Sequence, residues 1–148
     1  MKKIFFALLA IFALACCTSN NEKVQVERPA FLQPGDTVGL MVVSSPVNHR
    51  PGETDTLIDV VRSWGVNVKC GKHLFKHDAV PFNVTDRERA QEFMEMVQDT
   101  NIKAIVFYRG GYGAIRTLEY LDFDIIKKNP KWIVGFSDVT TYHLALNK

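Results

Sequence analysis

The stretch AIVFYRGGYGAIRTL, residues 104–118, sets a short apolar run against a glycine-rich loop and then resumes with apolar positions at helical spacing. An unbroken run of four to eight apolar residues is the pattern of a strand covered on both faces, so a strand over Ala104–Tyr108 feeds the loop Arg109-Gly110-Gly111-Tyr112-Gly113. A helical stretch carrying Ile115, Leu118 and Leu121 follows, continues through Asp124 to Lys128, and is broken at Asn129-Pro130. Upstream, TVGLMVV (Thr37–Val43) is a second buried-type strand ending in the loop Ser44-Ser45-Pro46. From Thr54 the positions Leu57, Ile58, Val61 and Trp64 recur at helical spacing up to Gly65, a common helix stop, and Val66–Cys70 alternates like a strand. A loop rich in His, Lys and Pro runs from Gly71 to Asn83. Thr85 and Glu88 form a capping box for a helix to about Asp99, with Ala90, Phe93, Met94 and Val97 on one face. Trp132–Phe136 is the last strand, and VTTYHLALNK the last helix. Strands alternating with helices predict an α/β fold: an open, mostly parallel, doubly wound (flavodoxin-like) sheet with helices on both faces. In such sheets ligands bind at the carboxyl edge, and Ser44-Ser45-Pro46, Arg109–Gly113 and Ser137-Asp138 all follow strands.

The chain has 148 residues, 47% of them hydrophobic and 23% charged, which suits one globular domain and excludes a polytopic membrane protein or a disordered tail. Of its 18 basic residues, Lys2 and Lys3 fall in the leader, so the rest balances its 16 acidic residues and offers no basic face for nucleic acid. The leader MKKIFFALLAIFALACC has a basic start and an apolar run from Ile4 to Ala15, shorter than the ~20 residues of a spanning helix, and so reads as an export signal. Leu14-Ala15-Cys16-Cys17 resembles a bacterial lipobox. Cys17 is the better lipidation site, with Leu14 three places before it, and Cys16 is the alternative; an ordinary cleaved signal with incidental cysteines also fits. The expected organisation is a signal at 1–17, a polar tether at 18–30 and the domain at 31–148, in a protein lipid-anchored to a membrane on the periplasmic side of a bacterial envelope. Cys70 is then the only other thiol in the mature chain, which rules out an internal disulfide framework, and it reads as a small buried hydrophobe.

Gly135-Phe136-Ser137-Asp138-Val139 lies between strand and helix like a G-x-S-x-G nucleophile elbow, with Val139 in place of the last glycine. A serine there has its hydroxyl held out at the sheet edge, and the helix start supplies amides for an oxyanion. The bland reading makes Ser137 or Asp138 simply the N-cap of the last helix. In Arg109–Gly113 the glycines admit a ligand close to backbone amides, as oxyanion donors or a phosphate cradle, or else form a flexible turn. A dinucleotide fingerprint fails, since Arg116 stands where a third small residue is needed. His49, His73 and His77 sit in loops without metal-ligand spacing and read as surface histidines; no metal and no cofactor is expected.

Together, RGGYGAIRTLEYLDFDIIKKNPKWIVGFSDVT (109–140), PGDTVGLMVVSSP (34–46) and ERAQEF (88–93) closely resemble the LD-carboxypeptidases, serine peptidases that include the microcin C self-immunity proteins. The resemblance covers Pro34 to the end. It implies a Ser-Glu-His hydrolase that cleaves an amide between an L- and a D-centre and releases the terminal D-alanine of a murein tetrapeptide. Ser137 is then the nucleophile, the Asp138 amide one oxyanion donor and Gly110 or Gly111 the other, with Arg109 and Tyr112 lining the substrate cleft. The Glu and His of such triads come from a C-terminal domain absent here, so the chain alone is expected to be inactive, with homodimers formed by the full-length protein. His143 lies on the nucleophile's own helix, pointing away from an elbow serine, and is not expected to be the base. The alternatives are a microcin-immunity-like amidase cleaving a peptide-nucleotide amide, a module that binds murein peptide without cleaving it, and, less compatible with export, an anion- or nucleotide-binding domain.

Overall fold

Four strands form one wholly parallel sheet in the order β2-β1-β3-β4, seen in a computed structural model of the chain. The structure describes residues 28–44, 52–74 and 84–147. Lys2, Lys3, Cys16, Cys17, Ser45, Pro46, His49, His77 and the tether up to residue 27 lie outside the described residues. The strands are β1 (Thr37–Met41), β2 (Asn67–Cys70), β3 (Ile102–Phe107) and β4 (Trp132–Val134), and the longer helices are α1 (Glu53–Arg62) and α2 (Asp86–Gln98). Because β2 and β3 flank β1 on opposite sides, the winding reverses between β1 and β3, which opens a crevice at their carboxyl ends.

Alternation along the strands explains why helices cover both faces. Val38 and Leu40 of β1, with Ala104 and Val106 of β3, pack against Ile58 and Val61 of α1. Their neighbours Met41, Ile105 and Phe107 point the other way, onto Phe93, Met96 and Val97 of α2. Tyr142, from the last helix, closes this second core edge-on to Phe93 at 4.9 Å and Phe107 at 5.3 Å, contacts that add about 0.5–1.5 kcal/mol each to simple burial. The expected capping box is present: Glu88 N donates to Thr85 Oγ1 at 3.2 Å, and Thr85 N to Glu88 Oε2 at 2.8 Å.

Two side chains expected to face the core do not. The stretch Ala114–Tyr120 is a 3-10 helix rather than an α-helix, and its three-residue repeat turns Ala114 and Thr117 inward while leaving Ile115 exposed. Trp64 lies beyond the end of α1 and is exposed. A short helix α3 (Phe123–Lys128) then starts under the Asp122 cap, whose Oδ1 accepts from Ile125 N at 2.9 Å, and ends at Asn129 before Pro130. The entering chain is pinned at the opposite end of β4 from its carboxyl edge: Trp132 Nε1 donates to Ala30 O at 2.8 Å, and Phe31 stacks on the Trp132 ring at 6.0 Å.

Candidate active site

Beyond Val134, β4 turns sharply through Gly135 and Phe136 into a one-turn 3-10 helix (Ser137–Val139), which continues as α4 (Thr140–Leu146). Ser137 has φ +58°, the only non-glycine φ in the left-handed region among the described residues. An L-residue held there costs on the order of 1–3 kcal/mol, a strain that persists only where the surroundings over-determine it. Two surroundings do so. A Cβ at Gly135 would stand 2.4 Å from Val139 Cγ1, so the bare backbone at 135 leaves room for the buried Val139 side chain, and the turn stays tight although the last glycine of the usual elbow pattern is missing. On the other side, a Cβ at Gly110 would lie 2.8 Å from Ser137 Cβ and 3.2 Å from Ser137 Oγ, so the glycine loop runs directly against the serine. Of the two glycines left open by the sequence, Gly110 is the one against Ser137; Gly111 has φ +151° and continues the loop.

Neither Ser137 nor Asp138 caps the last helix with its side chain, which corrects the bland expectation; the capping position falls on Val139 for α4 and on Phe136 for the 3-10 turn before it. The Asp138 carboxylate reaches across instead. Its Oδ2 accepts from the buried Ser44 Oγ, just past β1, at 2.8 Å, and from Ala114 N, at the start of the 3-10 helix, at 2.8 Å. One carboxylate oxygen thereby ties together the three loops expected to converge. Below it, the buried Arg89 of α2 donates to Val43 O and to Asp86, and Asp86 also pairs with Arg116 at 2.7 Å. Burial pushes the Arg89 guanidinium below its ordinary value, with Asp86 opposing. Thr117 Oγ1 lies 2.6 Å from the hydroxyl of Tyr142, whose pKa burial drives well above the usual tyrosine range. Arg89 and the side-chain bonds of Asp138 escaped the sequence reading. The only trace of the first was the Asp86 to Arg89 spacing of three on a helix, and the second links positions 94 residues apart.

Arg109 turns toward the start of α1, where Nη1 donates to Glu53 Oε2 at 3.2 Å; Tyr108 donates its hydroxyl to the same oxygen at 3.1 Å. Burial raises the Tyr108 hydroxyl above its ordinary value, and the bond to Glu53 adds to the rise. Tyr112 projects into solvent. His73 is not a surface histidine: its side chain is 10% exposed, with Nδ1 3.3 Å from the buried Glu92 carboxylate, and its amide donates to Glu92 Oε1 at 3.2 Å. This fold-back is possible because Gly71 has no Cβ where the carboxylate packs, 2.9 Å from the place one would occupy. His143 keeps its Nε2 buried and without a hydrogen-bond partner, so it makes no bond to Ser137. Among the described residues, no cluster of three or more His, Cys, Asp or Glu side chains is arranged to hold a metal ion.

A parallel α/β sheet that presents a strained serine on a strand-to-helix turn, faced by a glycine loop, has the backbone geometry of an elbow. Residues 38–148 match the family described as the LD-carboxypeptidase N-terminal domain, and the chain belongs to that family. It is 36% identical over 121 residues to a probable murein peptide carboxypeptidase of Bacillus subtilis, covering 82% of this chain and 37% of that protein. It is 35% identical over 112 residues to the microcin C7 self-immunity protein of Escherichia coli, covering 75% of this chain and 32% of that protein. A crystal structure of an MccF-like protein from Bacillus anthracis superposes with a TM-score of 0.74 at 28% identity, covering 82% of this chain and 37% of that one. The chain spans about a third of the length of these relatives.

Proposed function

We propose that this chain carries the nucleophile of a serine LD-carboxypeptidase that releases the terminal D-alanine from murein tetrapeptide. The observation that carries the reading is the φ of +58° at Ser137, a strain stored at the carboxyl edge of the sheet where a glycine loop meets the hydroxyl. The murein peptide carboxypeptidase among the relatives supports the substrate class. Ser137 Oγ adds to the carbonyl carbon of the L-D amide, and the oxyanion is received by the amide of Asp138 and one from the Gly110-Gly111 pair. The C–N bond breaks as the D-alanine nitrogen takes up a proton, and water then hydrolyses the acyl ester. Serine needs a base oriented by a third group. On the family resemblance the Glu and His of the triad are supplied by a C-terminal domain, and on that reading residues 1–148 by themselves are expected to be inactive. Arg109 and Tyr112 line the cleft on this reading.

The native gene product, incubated with murein tetrapeptide, is expected to release D-alanine, and Ser137→Ala to reduce release by about 10³-fold or more. Turnover undiminished in Ser137→Ala would overturn the nucleophile, and turnover by the 148-residue chain alone would overturn the missing-base reading. Peptide bound with equal affinity by both forms and cleaved by neither would favour the non-catalytic module. The similarity to the microcin C7 self-immunity protein supports a second reading, an amidase acting on a peptide-nucleotide amide; preference for such a substrate over tetrapeptide would select it.

The same proposal places the protein in the periplasm on a lipid anchor at Cys17. What supports it is the sequence alone: a basic start at Lys2 and Lys3, an apolar run from Ile4 to Ala15 and the lipobox-like Leu14-Ala15-Cys16-Cys17. Cys17→Ser is expected to move the protein from the membrane to the soluble fraction on cell fractionation; a variant still partitioning with membranes would contradict the anchor.

A further inference from the structure

We propose that the Asp138 side chain is the positioning residue of the oxyanion site, setting the distance between its two donor strands through the carboxylate while its own amide serves as a donor. The inference rests on the reading of Ser137 as nucleophile. The glycine loop is clamped at both ends: Tyr108 N donates to Met41 O at 2.8 Å where the loop leaves β3, and Ala114 N donates to Asp138 Oδ2 at 2.8 Å where it enters the 3-10 helix. Only Arg109 to Gly113 lie between, with Gly110 against Ser137. The same Oδ2 takes the Ser44 hydroxyl at 2.8 Å, and the backbone just before Ser44 is fixed by Arg89 through Val43 O. Asp138 therefore fixes, relative to its own amide, the loop that bears the second donor, and it braces that unit against the end of β1.

The physical need is specific to catalysis. An oxyanion hole works because its donors stand at the right spacing before charge develops, so that nothing reorganises during reaction. Donors on two different loops have no covalent reason to hold that spacing, and a carboxylate accepting from both a backbone amide and a hydroxyl supplies one, through charge-assisted bonds stronger than neutral ones. The asparagine side-chain oxygen can accept both bonds in the same place, whereas alanine can accept neither. Ser44→Ala removes one bond and leaves the glycine-loop clamp.

The test compares Asp138→Asn, Asp138→Ala, Ser44→Ala and Ser137→Ala in the native gene product, measuring kcat and KM for D-alanine release and thermal unfolding of each. Asp138→Ala is expected to lose about 10²–10³-fold in kcat with KM within about threefold. Asp138→Asn should recover to within about tenfold of wild type, and Ser44→Ala should fall between them. A folded Asp138→Ala with wild-type kcat, a loss carried by KM alone, or an asparagine variant as impaired as alanine would overturn the proposal. Should Asp138→Ala fail to fold, Ser44→Ala decides: a reduced kcat at unchanged KM supports the brace, and an unchanged kcat overturns it. Failure of the underlying reading shows separately, as turnover surviving in Ser137→Ala.

Discussion

Gly110 has no room for a side chain, since the atoms a Cβ would meet include the Cβ of Ser137 and the backbone oxygen of Phe136, neither of which can swing aside. Gly110→Ala must displace the elbow or the loop by a substantial fraction of an ångström. Misplacement on that scale costs about 10²-fold in rate. D-alanine release by the native gene product should therefore fall by that order while the unfolding temperature drops only a few degrees; full turnover would show that loop and serine do not work against each other. Cys70 offers a contrasting residue-scale expectation. Burial raises its thiol above the ordinary value, and the nearby Arg62 only partly opposes this. Less thiolate is then present at pH 8 than in the unfolded chain, so alkylation by iodoacetamide should be slower in the folded protein and accelerate on denaturation. The sharp turn at Ser137 and the glycine loop were readable because each depends on local order, a strand, a turn, a residue type; which of Gly110 and Gly111 meets the serine was not, and Cys70, expected to be buried, is only half-buried at the end of β2. The bonds of Asp138 to Ser44 and Ala114 and the burial of Arg89 were not readable either, because they are made by elements brought together only by the winding of the sheet.

At the scale of elements, the elbow is a matched pair of residues rather than a glycine motif. Gly135 is bare because Val139, one turn on, fills the space a Cβ would take, 2.4 Å from the Val139 Cγ1. Gly135→Ala alone should destabilise by about 1–3 kcal/mol through overpacking. Val139→Ala alone should also destabilise, by opening a cavity. The double variant Gly135→Ala/Val139→Ala should be more stable than the sum of the two predicts, a coupling readable in a double-mutant cycle by urea unfolding; strict additivity would mean the two residues do not compete for one space. The capping box of α2 shows the other extreme, a contact contained within four residues and hence fully readable from Thr85 and Glu88. Ala114–Tyr120 departs from an α-helix because the backbone after Gly113 takes the tighter 3-10 turn, whose three-residue repeat matches the spacing of Ile115, Leu118 and Leu121 and turns Ala114 and Thr117 inward, with Thr117 Oγ1 donating to Ala114 O at 2.7 Å.

Among the described residues of the chain, the two cores account for the sheet's inner strands, while one edge of the sheet carries exposed apolar side chains. β4 is an edge strand, and Val134, Phe136 and Leu144 on and beside it are 48%, 61% and 68% exposed. An edge strand presents unpaired backbone donors and acceptors, and apolar side chains beside it turn that edge into a template for pairing with another chain. The same edge carries the elbow, so it cannot be blunted by charge near Ser137 without disturbing the site. The chain without its predicted leader is therefore expected to self-associate as its concentration rises into the tens of micromolar, with sedimentation velocity reporting growing species. Val134→Lys and Leu144→Lys, placed to either side of the serine turn, should each shift the distribution toward monomer without lowering the unfolding temperature by more than a few degrees, because both side chains already face solvent. A wild-type chain that stays monomeric over that range would show that the apolar edge is protected within the chain itself. Association unaffected by both lysines would move the contact to another face, of which the solvent-facing Trp64 beyond α1 is the first to test.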